Sequence, residues 1–169
     1  MMDPAKVAQI ARKHRALVAS PGPGALLEAE AARHEEAEAL NGLFSEIETE
    51  CDAYCLSYND AFGETRVRTE PHSNTIVIRS QLDQEDTLVF QRVAPSHTHG
   101  GRIEARRYHY GEQPVHLPVD VRRTEERRLT LTLRGRDVAA AELVLDLLTT
   151  FSEHLARTEA ATRAKDTPA

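Results

Sequence analysis

The sequence contains no tryptophan, only two cysteines and no long hydrophobic run. Cys51 and Cys55 are too few for a disulfide framework, which favours a reducing compartment. No apolar stretch approaches the roughly 18 residues of a membrane span, and the first residues lack the apolar core of a signal peptide. These absences predict a cytoplasmic protein of bacterial type with no membrane association.

Sequence motifs that mark common enzyme classes are also missing. The P-loop, the dinucleotide-binding glycine fingerprint, the nucleophile elbow of hydrolases and the zincin helix do not occur in the 169 residues. Serine, histidine and aspartate are present, but no spacing brings them together. We therefore predict no catalytic residues, and a non-enzyme is favoured over an enzyme.

The first 63 residues show the 3.6-residue periodicity of helices, which predicts helices over about residues 4–19 and 25–62. The segment Pro21-Gly22-Pro23-Gly24 interrupts helical geometry and predicts a hinge. Gly63 is placed to end the second helix in a left-handed conformation. Asn41-Gly42 leaves the continuity of this helix open, because glycine inside a helix costs roughly 1 kcal/mol relative to alanine; we favour a continuous helix.

After Gly63 the spacing of apolar residues changes from a period of 3.6 residues to a period of two, which is typical of strands with one buried face. Leu129, Leu131 and Leu133 alternate with arginine and threonine, so one face is apolar and the other polar. Pro118 has no amide to donate to a ladder, so its strand lies at an edge or is bulged. The predicted strands cover about residues 65–69, 74–80, 87–93, 102–110, 115–121 and 127–134.

A last helix is predicted over residues 138 to about 157, with an apolar stripe wide enough to contact two neighbours. We expect it to cover the apolar face of the sheet and to contact the second helix. The predicted fold is therefore α+β, an antiparallel meander of five or six strands covered by the C-terminal helix. Residues 1–63 form an N-terminal helical arm, 64–157 the sheet with its helix and 158–169 a frayed tail, in one compact domain overall.

Arginine dominates the basic residues, although the net charge of −6 argues against a dedicated DNA-binding protein. Strand alternation places several arginines on the polar face of the sheet, and we predict that this face binds a protein partner. It could instead bind single-stranded nucleic acid, with Tyr108 and Tyr110 stacking on bases. It could also be an ordinary exposed face on which Glu70, Glu104 and Asp120 neutralise the arginines. The predicted partner-binding residues are Arg66, Arg68, Arg122, Arg128 and Arg134.

The second helix carries apolar residues at alternating spacings of three and four, the pattern of a helix-packing seam. A helix of roughly 38 residues spans about 57 Å and would extend past a small domain unless something covers it. We predict a homodimer through this seam, while packing within one chain is the alternative. The seam residues are Leu40, Phe44, Ile47, Cys51, Tyr54 and Tyr58.

The loop Ser96-His97-Thr98-His99-Gly100-Gly101 holds two histidines that flank one residue. Both rings could present a nitrogen to a metal ion, with His109 or His116 as further ligands. Cys51 and Cys55 share one helical face and could complete a Cys2His2 zinc site. The alternative is a mobile hairpin tip and a core thiol, which needs no cofactor.

The function expected from these patterns is a small non-catalytic binding or adaptor protein, as a homodimer that presents the arginine-bearing sheet face or the acidic helical arm to a protein partner. The first alternative is single-stranded nucleic-acid binding through the arginine and tyrosine face. The second is a zinc-dependent enzyme centred on His97 and His99.

Overall fold

The computed structural model describes residues 4–19, 22–81 and 86–168. The three helices there are α1 (Pro4–Val18), α2 (Pro23–Phe62) and α3 (Ala140–Asp166). The strands are β1 (Val67–Pro71), β2 (Thr75–Ser80), β3 (Thr87–Val93), β4 (Arg102–Tyr108), β5 (Val115–Leu117), β6 (Val119–Arg123), β7 (Leu129–Leu133) and β8 (Arg136–Asp137). The contacts divide the chain into two units, Met1–His34 and Glu35–Ala169.

The first unit contains α1 and the beginning of α2. On α1 the apolar side chains of Val7 and Ile10 are about half exposed. Helix α2 begins at Pro23, two residues earlier than predicted, because proline is well suited to the first position of a helix. Ser20 and Pro21, which belong to the predicted break between the helices, lie outside the described residues.

Helix α2 runs through Asn41 and Gly42 without a break, as favoured from the sequence. The Asn41 side chain accepts a hydrogen bond from Arg92, and Gly42 faces open space. The helix ends at the predicted glycine, because Gly63 has a φ of +70°. The Gly63 amide donates to the Asp60 carbonyl at 3.1 Å, which satisfies one of the carbonyls left free at the helix end.

The second unit is an α+β structure, as predicted. Strands β1 to β5 form a five-stranded sheet in sequence order, and every pair of neighbours is antiparallel. Alternate residues of the central strands point to one buried face, since the strand period is two. The buried apolar side chains of β2, β3 and β4 are Ile76, Ile78, Leu88, Phe90, Ile103 and Ala105.

Strands β6 and β7, from the last two predicted runs, form a second sheet with β8, a two-residue strand that was not predicted, rather than a continuation of the first sheet. The run predicted over residues 115–121 is divided at Pro118, which separates β5 from β6. Its ring removes the amide that a continuous ladder would need, so β5 and β6 are each the edge strand of a different sheet. Leu131 and Leu133 are buried and Leu129 is half-buried, which agrees with the predicted apolar face. Thr132, predicted to lie on the exposed polar face, is buried as well, so β7 does not have one face in the core and the other in water.

Both α2 and α3 contribute to one hydrophobic core with the strands. The hydroxyls of Tyr54 in α2 and Ser152 in α3 lie 2.7 Å apart, so the predicted contact between these helices is confirmed. Helix α3 continues past the predicted end near Arg157 to Asp166. Residues 158–166 are mostly strong helix formers, and Glu159 bonds to Arg163 one turn later. Among the helices of the described residues, none has the length and apolar character needed to cross a lipid bilayer.

Candidate functional site

Four of the five arginines predicted to bind a partner are exposed, and each forms an ion pair with a nearby carboxylate. Arg68 on β1 bonds to Glu70 at 2.7 Å, and Arg134 contacts Asp146 of α3 at 3.2 Å. Arg122 pairs with Asp137, and Arg128 with Glu126. Arg68 belongs to the five-stranded sheet, whereas Arg122 belongs to the three-stranded sheet with Arg128 and Arg134 at the ends of its strand β7. The sequence places these residues on one face, but the structure does not bring all of them together.

Arg66 is an exception to the prediction, because it is only 7% exposed. Its guanidinium bonds to Glu64 at 2.8 Å, pairs with Glu159 of α3 and lies 4.2 Å from the ring centroid of Phe62. A buried arginine with two carboxylates and an aromatic ring is a structural residue that joins α3 to the start of β1. It is unavailable to a partner.

The predicted dimer seam on α2 is largely occupied within the chain. Leu40, Phe44, Ile47 and Cys51 are at most 4% exposed and belong to the core. The alternative of packing inside one chain is therefore correct for these four residues, because the sheet and α3 cover them. Tyr54 and Tyr58 are half-buried, and their rings are stacked with centroids 5.8 Å apart.

The two tyrosines line a groove of about 520 Å³ between α2 and α3. The lining includes small side chains on both helices, which leave room for a third backbone to approach closely. Val144 and Leu145 make the wall formed by α3 apolar. A second hollow of about 390 Å³ shares Glu50 and Ala141 with the first and contains Glu46. We call the two hollows together the α2/α3 groove. The residues lining its larger hollow are Glu50, Ala53, Tyr54, Ser57, Tyr58, Ala141, Val144 and Leu145.

The loop with His97 and His99 does not form a metal centre with the residues predicted to join it. Both histidines are exposed, and His99 Nδ1 lies 3.0 Å from the carbonyl oxygen of Gly100. Cys51 and Cys55 are buried in the core, where they pack as apolar side chains, and burial raises the pKa of both thiols. Among the described residues these thiols do not come together with His97 and His99 in a group of possible metal ligands, so the predicted Cys2His2 zinc arrangement is not formed in this structure.

A different set of residues forms the densest cluster of possible metal ligands in the described part of the chain. One ligand atom each from Asp86, His109 and His154 lie within 4.8 Å of one another. Asp86 and His109 are buried, and Asp86 Oδ1 lies 2.5 Å from His109 Nδ1. The rings of His109 and His154 have centroids 4.0 Å apart.

The environment of this Asp-His-His cluster favours neutral imidazole on α3. Burial lowers the pKa of His154, and the neighbouring His109 lowers it further. The negative charges of Asp86 and Glu112 raise the pKa of His154, and the positive charge of Arg107 lowers it. Neutral imidazole is the form that binds a metal ion.

The sequence predicts only part of this cluster, with His109 as an accessory ligand of the loop that holds His97 and His99. Asp86 precedes β3 and His154 lies on α3, so no local spacing connects them to His109. The one local sign of a buried role for His154 is its position beside Phe151 and Leu155, which belong to the apolar stripe of the last helix. Antiparallel pairing of β3 with β4, and packing of α3 against them, bring the residues together.

Comparison with models of protein families, with curated proteins and with solved structures gave no match for this chain.

Proposed function

We propose that this protein is a non-catalytic protein-binding protein that acts as a homodimer, in which the α2/α3 groove of one copy binds helix α1 of the other. The observation that carries this proposal is the groove, whose lining is mostly apolar and has glutamates on its border. Grooves between two helices commonly bind a third helix through its apolar face.

The lining of the groove suits a helical occupant. Ala53, Ser57 and Ala141 have small side chains, so a helix can approach the backbones of α2 and α3 closely. Tyr54 and Tyr58 add apolar area on relatively rigid side chains, a residue type that is enriched in interfaces. Leu145 is 59% exposed, and an apolar contact would remove it from water.

Helix α1 has the chemistry that this groove would recognise. Its residues include two lysines and two arginines, and no acidic residue between Pro4 and Val18. Val7 and Ile10 are exposed on one side of the helix. Glu46 and Glu50 at the groove therefore complement the charge of α1 in a second copy.

Light scattering after size exclusion tests the proposal on the full chain. The wild type is expected to have the mass of a dimer at micromolar concentration. Ile10→Asp and Leu145→Asp, in separate variants, should each raise the dimer dissociation constant at least about 30-fold, since each places a carboxylate in the apolar contact. Circular dichroism would confirm that both variants are folded.

Ala8→Asp provides the matched control, because it adds the same charge to α1 away from the apolar side. It should leave the dissociation constant within about threefold of wild type. A monomeric wild type at high micromolar concentration, or an equal effect of Ala8→Asp and Ile10→Asp, would contradict the proposal.

A further inference from the structure

A small cavity lies between α3, the five-stranded sheet and the turn that follows β7. Its volume is about 100 Å³, and it is partly open to solvent. Pro118, which separates β5 from β6, forms part of the wall, and its carbonyl accepts a hydrogen bond from the Arg134 amide at 2.9 Å. At this junction of the two sheets, the strands and α3 therefore leave a space between them.

Arg107 lines this cavity from the buried side of β4. Strand alternation puts Arg107 on the same face as Ile103 and Ala105, which are both buried. Its neighbour across the ladder in β3 is Leu88, which is fully buried and also lines the cavity. A half-buried guanidinium thus lies on a face of the sheet that is otherwise apolar at these positions.

The guanidinium of Arg107 has no anionic partner within the described part of the chain. It forms no ion pair or hydrogen bond there, and its Nε is buried without an acceptor. The terminal Nη atoms remain accessible, so they can bond to a ligand. An incompletely hydrated charge without a counter-ion is unfavourable, and an anion bound at the Nη atoms would offset this cost.

Two carboxylates close to the cavity bond to other side chains. The two Nη atoms of Arg134 donate to the two carboxylate oxygens of Asp146, at 3.2 and 3.3 Å. Asp86 Oδ1 lies 2.5 Å from Nδ1 of His109. Because these carboxylates are already engaged, Arg107 is the lining cation with free bonding capacity among the described residues.

We propose that this cavity binds a short-chain carboxylate of two or three carbons, whose oxygens bond to the Nη atoms of Arg107. Guanidinium and carboxylate groups match through two parallel N–H···O bonds. The site is distinct from the α2/α3 groove and does not depend on dimer formation, because its lining residues belong to the second unit and none of them lines the groove.

The size and lining of the cavity select the rest of the ligand. A cavity of about 150 Å³ holds benzene, with six heavy atoms, so a cavity of about 100 Å³ holds roughly four or five. Leu88, Leu147 and Phe151 give it apolar walls that suit a methyl or ethyl group. Inorganic phosphate fits less well, since these walls would leave some of its oxygens without hydrogen bonds.

NMR titration of the ¹⁵N-labelled full chain with sodium propionate tests the site, with sodium chloride at equal ionic strength as the blank. Propionate should bind at one equivalent with a dissociation constant below about 1 mM, which a ligand of five heavy atoms can reach. Propionamide has nearly the same shape without the charge, and it should bind at least about 30-fold more weakly. Equal binding of the two, or no binding of propionate at about 10 mM, would overturn the proposal. Phosphate that binds as tightly as propionate would also overturn it, because the site would then select charge alone.

Arg107→Met should weaken propionate binding at least about 30-fold, since it removes the charged partner and keeps a long side chain. The unliganded variant should keep or raise the Tm, because it loses a half-buried charge without a counter-ion. Arg106→Met is the matched control: Arg106 is the neighbouring residue on the opposite face of β4 and pairs with Glu104 at 3.2 Å. It should leave the affinity within about twofold of wild type, as expected for a residue outside the cavity.

Propionate binding that survives Arg107→Met, or that is weakened equally by Arg106→Met, would refute this site. The comparison of propionate with propionamide on the wild type decides the matter independently if Arg107→Met fails to fold.

Discussion

Gly101 shows how closely α2 approaches the start of β4. A Cβ atom at this position would lie 2.9 Å from Leu40 Cδ2 and 3.4 Å from Pro95 Cδ. The Gly101 amide also donates to Glu36 Oε1 at 3.1 Å, which holds the backbone against the helix. Glycine is required here for space, because Leu40 is fully buried and has little room to move.

Gly101→Ala is therefore expected to lower the free energy of unfolding by about 1–3 kcal/mol, the usual cost of overfilling a packed core. Gly42→Ala is the matched control, since a Cβ there meets nothing within 4 Å inside α2. It should raise the free energy of unfolding by up to about 1 kcal/mol through helix propensity. Urea unfolding measures both, and equal effects of the two substitutions would refute this account of Gly101.

Residue type alone did not settle the roles of the arginines or the histidines. Arg66 and Arg68 are two positions apart, yet the first is buried against Phe62 and the second is exposed. His109 is buried beside Asp86, whereas His97 and His99 remain in an exposed loop. Burial by elements distant in sequence distinguishes these residues.

At the scale of elements, the C-terminal turns of α3 are held by an ion pair with the strand region. Glu159 is the acidic partner of the buried Arg66, and its side chain is 20% exposed. Arg163 bonds to the same carboxylate at 2.6 Å, four residues further along the helix. These contacts account for a helix that extends past Arg157, where the sequence predicts a frayed tail.

Glu159→Gln should lower the free energy of unfolding by about 1–3 kcal/mol, because it leaves the buried guanidinium of Arg66 with one carboxylate partner instead of two. Glu153→Gln removes an exposed pair with Arg157 on the same helix and should cost at most about 0.5 kcal/mol. Thermal or urea unfolding compares the two variants. Similar decreases in the free energy of unfolding for both variants would show that the contact of Glu159 with Arg66 stabilises the protein no more than an exposed ion pair does.

For the whole molecule, the distribution of burial separates the two units. Every buried apolar residue of the described structure lies between Leu40 and Leu155. The first unit, residues 1–34, contributes none of them, and its apolar side chains Val7, Ile10 and Leu27 are exposed. We infer that the second unit carries its own core.

A fragment of residues 35–169 should therefore fold with a free energy of unfolding within about 1 kcal/mol of the full chain, measured as monomers at low concentration, because no core residue is removed. If the proposed dimer forms through α1, the same fragment should be monomeric at concentrations where the full chain is dimeric. Loss of cooperative unfolding in the fragment would show that residues 1–34 stabilise the core.

The sequence by itself determined the order of helical and strand regions, the two-residue and 3.6-residue periodicities and the end of α2 at Gly63. These features are local, since they depend on side-chain alternation and on backbone conformations that few residues adopt. It also indicated that Pro118 interrupts its ladder, although only the structure showed that the interruption separates two sheets.

The tertiary structure decided which polar residues meet and which apolar ones remain uncovered. The cluster of Asp86, His109 and His154 joins a strand start, a strand end and a helix, and the α2/α3 groove joins helices separated by the whole sheet region. The burial of the α2 seam within one chain depended in the same way on packing between distant segments. Such contacts follow from chain topology and side-chain packing, and a periodic pattern within one segment carries no information about which other segment covers it.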